Sequence, residues 1–361
     1  MDIIRNWFRR YFSDPQVVIL ALFLIVGFAV VLTMGHMLAP VLAGVVIAYL
    51  LDGLVVPLER RGIGRTWAVL VVFIVFMLFL LFAFFGIIPR LSFQLTQLVQ
   101  QLPDMVSRGQ AMLLKLPERY PNFVTDEQIR EFMLAIRTEL GSMGQRVLSL
   151  SVASLVSLIT LLVYLILVPV LVFFFLKDKD RILGWLASYL PRERHLSTAV
   201  WHDVNAQIGN YIRGKMWEIF IVGGVTYATF TLMGLQYAVL LSTLVGLSVI
   251  IPYIGAAVVT VPIAIIAYFQ WGWGSEFFYV LAAYAVIQAL DGNVLVPLLF
   301  SEVVDLHPVA IIVAVLVFGG IWGFWGIFFA IPLATLVKAV LKAWPRKEPE
   351  AGAEPAGAGG E

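Results

Sequence analysis

Cysteine is missing altogether from this chain of 361 residues. A disulfide framework, a thiolate metal site and a cysteine nucleophile are therefore all excluded. Charge is scarce too, at 13% of residues, about half of what a globular protein carries. The signs balance, 24 Lys plus Arg against 23 Asp plus Glu, so there is no concentrated basic face for nucleic-acid phosphates. The four histidines, His36, His195, His202 and His307, are scattered without metal-ligand spacing. A Walker-type glycine loop and a Gly-x-Ser-x-Gly elbow are absent. Enzymatic chemistry, a bound cofactor and transport driven by the chain's own ATP hydrolysis are disfavoured. What the sequence has in excess is apolar side chains, 61% by the wide count, and the solvent that fits them is lipid.

A bilayer core about 30 Å thick needs roughly 20 apolar residues as a helix. Runs of that kind lie at Val17 to Met34, Leu38 to Leu58, Trp67 to Ile88, Leu150 to Leu176, Trp217 to Gly234 and Phe277 to Phe300. The first lacks a small-residue cleavage site and is read as a retained helix rather than a signal peptide. Two further uncharged runs, Tyr237 to Phe269 and Pro308 to Val337, would measure roughly 45 to 50 Å as continuous helices. Each carries breakers near its middle: Ile251-Pro252-Tyr253-Ile254-Gly255 in the first, and Gly319-Gly320-Ile321-Trp322-Gly323-Phe324-Trp325-Gly326 in the second. Proline removes a backbone donor and glycine weakens the helix, so the chain is expected to turn there. Two re-entrant helical hairpins account for the excess length; two kinked spans are the competing reading. The two segments also resemble each other. Leu235 precedes Pro262 by 27 residues and Leu306 precedes Pro332 by 26, each after an ordinary span. Helix plus hairpin, repeated with opposite orientation, is an inverted repeat of the kind transporters use.

Orientation follows the basic residues. With the N-terminus inside, 17 of the 24 fall on inside segments, among them Arg5, Arg9, Arg10, Arg60, Arg61, Arg65, Lys177 to Lys215, Lys338 and Lys342. The other seven lie between Arg90 and Arg146, balanced by six acids, in a segment long enough to cross regardless of charge. Leu91, Leu95, Leu98, Leu102 and then Ile129, Phe132, Met133, Ile136, Leu140 have helical spacing, so this segment reads as a small helical cap with loops at Pro103 and at Pro117 to Pro121. An amphipathic helix is expected around Ala199 to Tyr211, and a disordered Gly, Ala, Pro and Glu tail from Pro345.

The expected fold is thus an all-α polytopic membrane protein of about six spanning helices plus two re-entrant hairpins and a small extracytoplasmic cap. Its parts are three transmembrane helices (1–89), an extracytoplasmic helical domain (90–149), a fourth transmembrane helix (150–176), a cytoplasmic helical loop (177–215), a transport core of two helix-plus-hairpin repeats (216–341) and a disordered cytoplasmic tail (342–361). Both termini are expected in the cytoplasm.

Ionisable and polar groups inside apolar runs are costly, by roughly 2.5 to 3.5 kcal/mol for a charge on insertion scales, so each requires a partner or a function. Gln288, Asp291 and Asn293 stand together in Gln288-Ala289-Leu290-Asp291-Gly292-Asn293, with Gln288 and Asp291 on one helical face. A carboxylate beside two amides suits a cation, a proton or a hydroxylated solute; a structural aspartate paired with Arg213 or Lys215 is the alternative. Asp52 and Glu218, near the ends of their runs, read as interface groups or partners of nearby basic residues. Tyr211-Ile212-Arg213-Gly214-Lys215 reads as a positive-inside anchor in preference to a gate. Gly319 and Gly323 allow close helix approach or expose backbone to a path, with Trp322 and Trp325 as stacking surfaces. His307, before Pro308, suits a helix start or a proton-linked role.

These motifs, in this order, resemble those of the autoinducer-2 exporter family. The resemblance rests on Tyr211-Ile212-Arg213-Gly214-Lys215, Ile251-Pro252-Tyr253-Ile254-Gly255, Gln288 to Asn293 with Pro297, Leu306-His307-Pro308, and Gly323-Phe324-Trp325-Gly326 with Ile331-Pro332-Leu333-Ala334. Phe12-Ser13-Asp14-Pro15 and Phe174-Phe175-Leu176-Lys177-Asp178-Lys179 are similar to the PerM-type permeases within it. The resemblance covers about Trp7 to Trp344. It implies a secondary transporter of the bacterial inner membrane, a homo-oligomer, expected to be a pentamer, with a substrate site formed by two hairpins. The implied cargo is autoinducer-2 or a similar small polyol; Na+(Li+)/H+ antiport is the alternative, and a non-transporting scaffold the second. The expected substrate-binding residues are Gln288, Asp291, Asn293, Pro252, Tyr253, Gly255, Gly323, Trp325 and Gly326, with Asp291 and His307 for proton or cation coupling. The expected partners are the bilayer, the solute and H+ or Na+.

Overall fold

The computed structural model describes residues 15–113, 155–189, 195–252, 254–300 and 306–343, with a few helical positions between Glu127 and Thr138. Every element among them is a helix. The expected tail lies outside the described residues, as does most of the expected cap. Among the described residues, four stretches are long and apolar enough to cross a membrane: Met37–Arg60, Arg65–Ala111, Ile254–Trp271 and Ser275–Phe300. Their many exposed large apolar side chains, Ile74, Val75, Leu78 and Val258 among them, are what a lipid-facing surface requires.

Helix α1 runs Pro15–Arg60 without interruption, so the runs Val17 to Met34 and Leu38 to Leu58, expected as separate spans, belong to one helix. Only Gly35-His36-Met37 separates them, and Pro40, five residues past Gly35, does not stop the helix. The turn on which the two-span reading rests is absent. A similar correction applies downstream. Helix α2, Arg65–Phe82, passes through a π-helical turn at Ala83–Ile87 into α3, Ile88–Leu113. The first helix expected of the cap is therefore a continuation of the preceding span, and Pro103 lies inside α3 rather than in a loop. Next come α4, Leu155–Lys177, and α5, Lys179–Ser188. Helix α6, His195–Leu232, joins the amphipathic segment expected near Ala199 directly to the fifth apolar run. Tyr211 to Lys215 thus stand in mid-helix.

The chain divides into two compact units. In the larger, Pro40–Lys179 with Ile212–Ser301, two cores form. Ala48 and Val55 of α1, Val69 and Val72 of α2, and Val172 and Leu176 of α4 make the first. Its polar end is tied by Lys179 Nζ, which donates to Asp52 Oδ2 at 2.7 Å, and by Arg65, which donates to the Leu176 carbonyl at 2.9 Å. Asp52 therefore has the basic partners expected of it. The second core joins α6 to α7, Ala238–Ser248, α8, Ile254–Trp271, and α9, Ser275–Leu290. Lipid supplies no hydrophobic drive between helices, so close contact of small residues must do this work. Gly223 of α6 meets Gly246 of α7 so closely that a Cβ on Gly246 would lie 3.1 Å from the Gly223 Cα.

Helices α7 and α8 form an antiparallel pair. At its open end Gln270 accepts from the Gln236 N–H and donates to the Gly234 carbonyl, both at 2.8 Å. At its turn Gly255 is pressed against the Ser248 carbonyl. The pair is also held from the side, where Gln94 of α3 accepts from the Leu240 N–H at 2.9 Å. Replacing Gln270 by leucine removes both bonds of the clasp. The expected cost is roughly 1–2 kcal/mol, read as faster amide exchange at Gln236 while the turn end stays protected.

The smaller unit, Met1–Ala39, Asp180–Tyr211 and Glu302–Glu361, holds a second broken pair. Helix α11, Pro308–Trp322, turns at Gly323, φ 58°, into the short α12, Phe324–Phe328, and then α13, Ala330–Ala343. Here Gly326 is pressed against the Phe318 carbonyl, and a Cβ on Gly319 would lie 2.8 Å from Ile327 Cγ1. Both long uncharged runs therefore break where their Pro and Gly residues stand, and in both a glycine seals the turn.

Candidate functional site

Helix α9 ends at Leu290 and passes through a π-helical turn, Asp291–Leu295, into α10, Val296–Phe300. A π-turn inserts one residue into the helical register and is found mostly at functional positions. It falls on Asp291-Gly292-Asn293, where small and amide-bearing residues weaken the α-helix.

Upstream of this turn, Tyr284, Gln288 and Asp291 follow one face at four- and three-residue spacing. Tyr284 Oη donates to the Ala256 carbonyl at 2.9 Å, which aims this face at the break between α7 and α8. Gln288 Nε2 and Asp291 Oδ1 are both buried and have no hydrogen-bond partner among the described residues. A donor and an acceptor, one helical turn apart, are thus buried without a partner among the described residues. Each such group costs roughly 1–3 kcal/mol unless something completes it.

Helix α6 brings the charge. Lys215 and Glu218 are 5% and 2% exposed, with Nζ and Oε2 2.6 Å apart. Lys215 Nζ also donates to the Val249 carbonyl, where α7 ends, at 2.8 Å, and lies 5.3 Å from the centre of the Phe300 ring. Asp291 is within electrostatic reach of both Lys215 and Glu218. Thr226, fully buried two turns beyond Glu218, leaves its hydroxyl without a partner among the described residues.

The structure therefore brings Gln288, Asp291 and the Pro252 turn, sealed by Gly255, into one neighbourhood, while Tyr253 lies outside the described residues. Asn293 does not join them. Its side chain is exposed, and its amide donates back to the Ala289 carbonyl at 2.8 Å. Gly323, Trp325 and Gly326 belong to the other compact unit and form the turn of its broken pair. There Trp325 is exposed and stacks on Phe329, whereas Trp322 packs on Phe28 and Phe318 with a buried Nε1 that has no hydrogen-bond partner among the described residues. His307 serves as a helix start: Nδ1 accepts from the Val309 N–H at 3.3 Å, and Pro308 occupies the first turn.

Sequence reasoning missed Lys215 and Glu218. Lys215 is buried within the protein, and Glu218 has the nearby basic partner allowed for it, also buried. A signal was present: two opposite charges three apart, on the same face as Gly223 and Thr226. Arg213 and Gly214 are packing residues on either side. A Cβ on Gly53 would lie 2.6 Å from Arg213 Cδ, and one on Gly214 would lie 2.8 Å from Phe300 Cε1.

A helical membrane protein with span-length apolar helices and a buried polar cluster at a broken helix pair has the build of a transporter. The profile of the AI-2E family transporters matches residues 18–346, and the chain belongs to that family. It is 47% identical over 345 residues to "Putative permease PerM" of Escherichia coli K12, which covers 96% of this chain and 98% of that protein. "Putative transport protein YueF" of Bacillus subtilis is 26% identical over 325 residues, 86% of this chain and 87% of the relative. A "Putative transport protein" of Thermotoga maritima is 23% identical over 347 residues, 96% and 99% of the two chains.

Proposed function

We propose that this chain is a secondary carrier of the bacterial inner membrane that exports a small hydroxylated solute of the autoinducer-2 type. The solute would bind where α9 faces the break between α7 and α8. The observation that carries this reading is the pair of buried, unsatisfied atoms, Gln288 Nε2 and Asp291 Oδ1. A polyol hydroxyl both donates and accepts, so one hydroxyl can bridge a carboxylate oxygen and an amide nitrogen. Helix α6 adds the Lys215 ammonium, bonded to the Val249 carbonyl, to the same cluster. The 11 residues of α7 rise only about 16 Å, too little for a core of about 30 Å, which supports a re-entrant α7, while the 18 residues of α8, about 27 Å, are of spanning length. The 15 residues of α11 and the 14 of α13, about 21–23 Å each, support a re-entrant reading of the second pair. The homo-oligomer is carried by the family resemblance, the extracytoplasmic cap by the helical spacing between Arg90 and Arg146, and the cytoplasmic C-terminus by the distribution of basic residues.

The test uses proteoliposomes loaded with labelled autoinducer-2. Release should exceed that from empty liposomes, and Asp291→Asn should lower it at least tenfold with the protein still folded. Release no faster than from empty liposomes removes the solute assignment. Full release by Asp291→Asn removes the site.

A further inference from the structure

Broken helices in secondary carriers commonly offer their unwound carbonyls to a mobile Na+ or proton. In this chain the carbonyl at the end of α7 already has an occupant. The Val249 oxygen takes Lys215 Nζ at 2.8 Å, and the same ammonium holds Glu218 Oε2 at 2.6 Å. The Phe300 ring, 5.3 Å away, presents its face to the remaining side of the charge. Gly214 lets this happen: it lies against Phe300, where a Cβ would come within 2.8 Å of the ring. Around this ammonium, the oxygens a monovalent metal ion could use include the Val249 carbonyl, the Glu218 carboxylate and, within electrostatic reach, Asp291. The lysine holds two of those three.

We propose that Lys215 is the site's own counter-cation, filling the carbonyl-and-carboxylate position of a mobile coupling ion, so that this carrier binds its solute without Na+, Li+ or K+. The inference rests on the cluster at Lys215 and Asp291 being the solute site, and it deepens that reading by assigning the ion dependence. A fixed ammonium on a helix differs from a mobile ion in one measurable respect: it cannot be washed out. Neutralising it at constant shape should expose an empty cation site formed by the Val249 carbonyl, Glu218 and Asp291. The full-length protein is purified in choline chloride, and choline is replaced stepwise by NaCl, LiCl or KCl at constant ionic strength. Thermal unfolding is followed by fluorescence of the ten tryptophans.

The wild-type midpoint should not move. Lys215→Met should show a saturable rise of about 2–4 °C with at least one of the three ions. A saturable rise in the wild type overturns the proposal, because a mobile ion then binds beside the lysine. A flat response in folded Lys215→Met overturns it as well and leaves Lys215 a structural cap of α7. If Lys215→Met does not fold in any salt, Lys215→Met/Glu218→Gln replaces it. This variant keeps Asp291 and frees the carbonyl, and a flat response there counts equally against the proposal. No solute enters the measurement, so a negative autoinducer-2 experiment and a negative ion experiment remain separate results.

Discussion

Glu218→Ala should destabilise the protein by about 3–5 kcal/mol, a large share of a typical stability of about 5–15 kcal/mol. The substitution leaves the Lys215 ammonium, 5% exposed, without the carboxylate it contacts at 2.6 Å. Desolvation of the charge is then no longer offset, and the surrounding lipid offers no water to relieve it. Replacing both partners is a different experiment. Lys215→Met/Glu218→Met substitutes two apolar side chains for two charges and should restore stability to within about 1 kcal/mol of the wild type, or exceed it. Transport should still be lost, because the ammonium beside Asp291 is gone. Thermal unfolding midpoints of the three proteins in one detergent settle the stability comparison, and liposome efflux of the double variant settles the functional one. A loss below about 1 kcal/mol in Glu218→Ala would mean that water reaches the pair and that it is no more than a surface ion pair.

Alanine at Gly255 or at Gly326 should each cost about 3 kcal/mol or more, since the added Cβ overlaps a carbonyl rather than a movable side chain. The obstacle is the Ser248 carbonyl at the first turn and the Phe318 carbonyl at the second. Backbone in a tight turn moves only if the turn opens, so these two variants should loosen the broken pairs specifically, with faster amide exchange in α7 and α12. Gly320→Ala is the control. It stands in α11 with nothing within 4 Å of the built Cβ and should be neutral or stabilising by up to about 1 kcal/mol. Equal losses at Gly320 and Gly326 would show that the turns are not sealed by close approach.

Several features were legible in residue chemistry alone. The breaks at Pro252 and at Gly323 were expected because proline and glycine inside a long apolar run have few other uses. The shared face of Gln288 and Asp291 followed from helical spacing, and their burial supports it. The limits of the helices were less legible. Pro40 and Pro103 were available as punctuation, yet both sit within continuous helices, because flanking helical turns hold a proline that would end a marginal helix. Asn293 could not be placed from spacing alone. The π-turn at Asp291 shifts the register, and the amide turns back to Ala289 instead of following its neighbours.

Lys215 and Glu218 show most clearly where sequence reading stops. A charged pair at the margin of an apolar run looks the same whether the run begins at the membrane surface or the helix started twenty residues earlier. Only the continuity of α6 from His195 and the packing of α7 across Gly223 place the pair at depth. The sequence by itself determined the solvent, the helical class and the two turns, since hydrophobicity and backbone restriction are local properties of residues. Tertiary structure decided that a lysine meets a carbonyl 34 residues away and that Gln288 Nε2 and Asp291 Oδ1 are buried without a hydrogen-bond partner among the described residues. Burial and pairing belong to what a side chain faces, and that depends on helices distant in the chain.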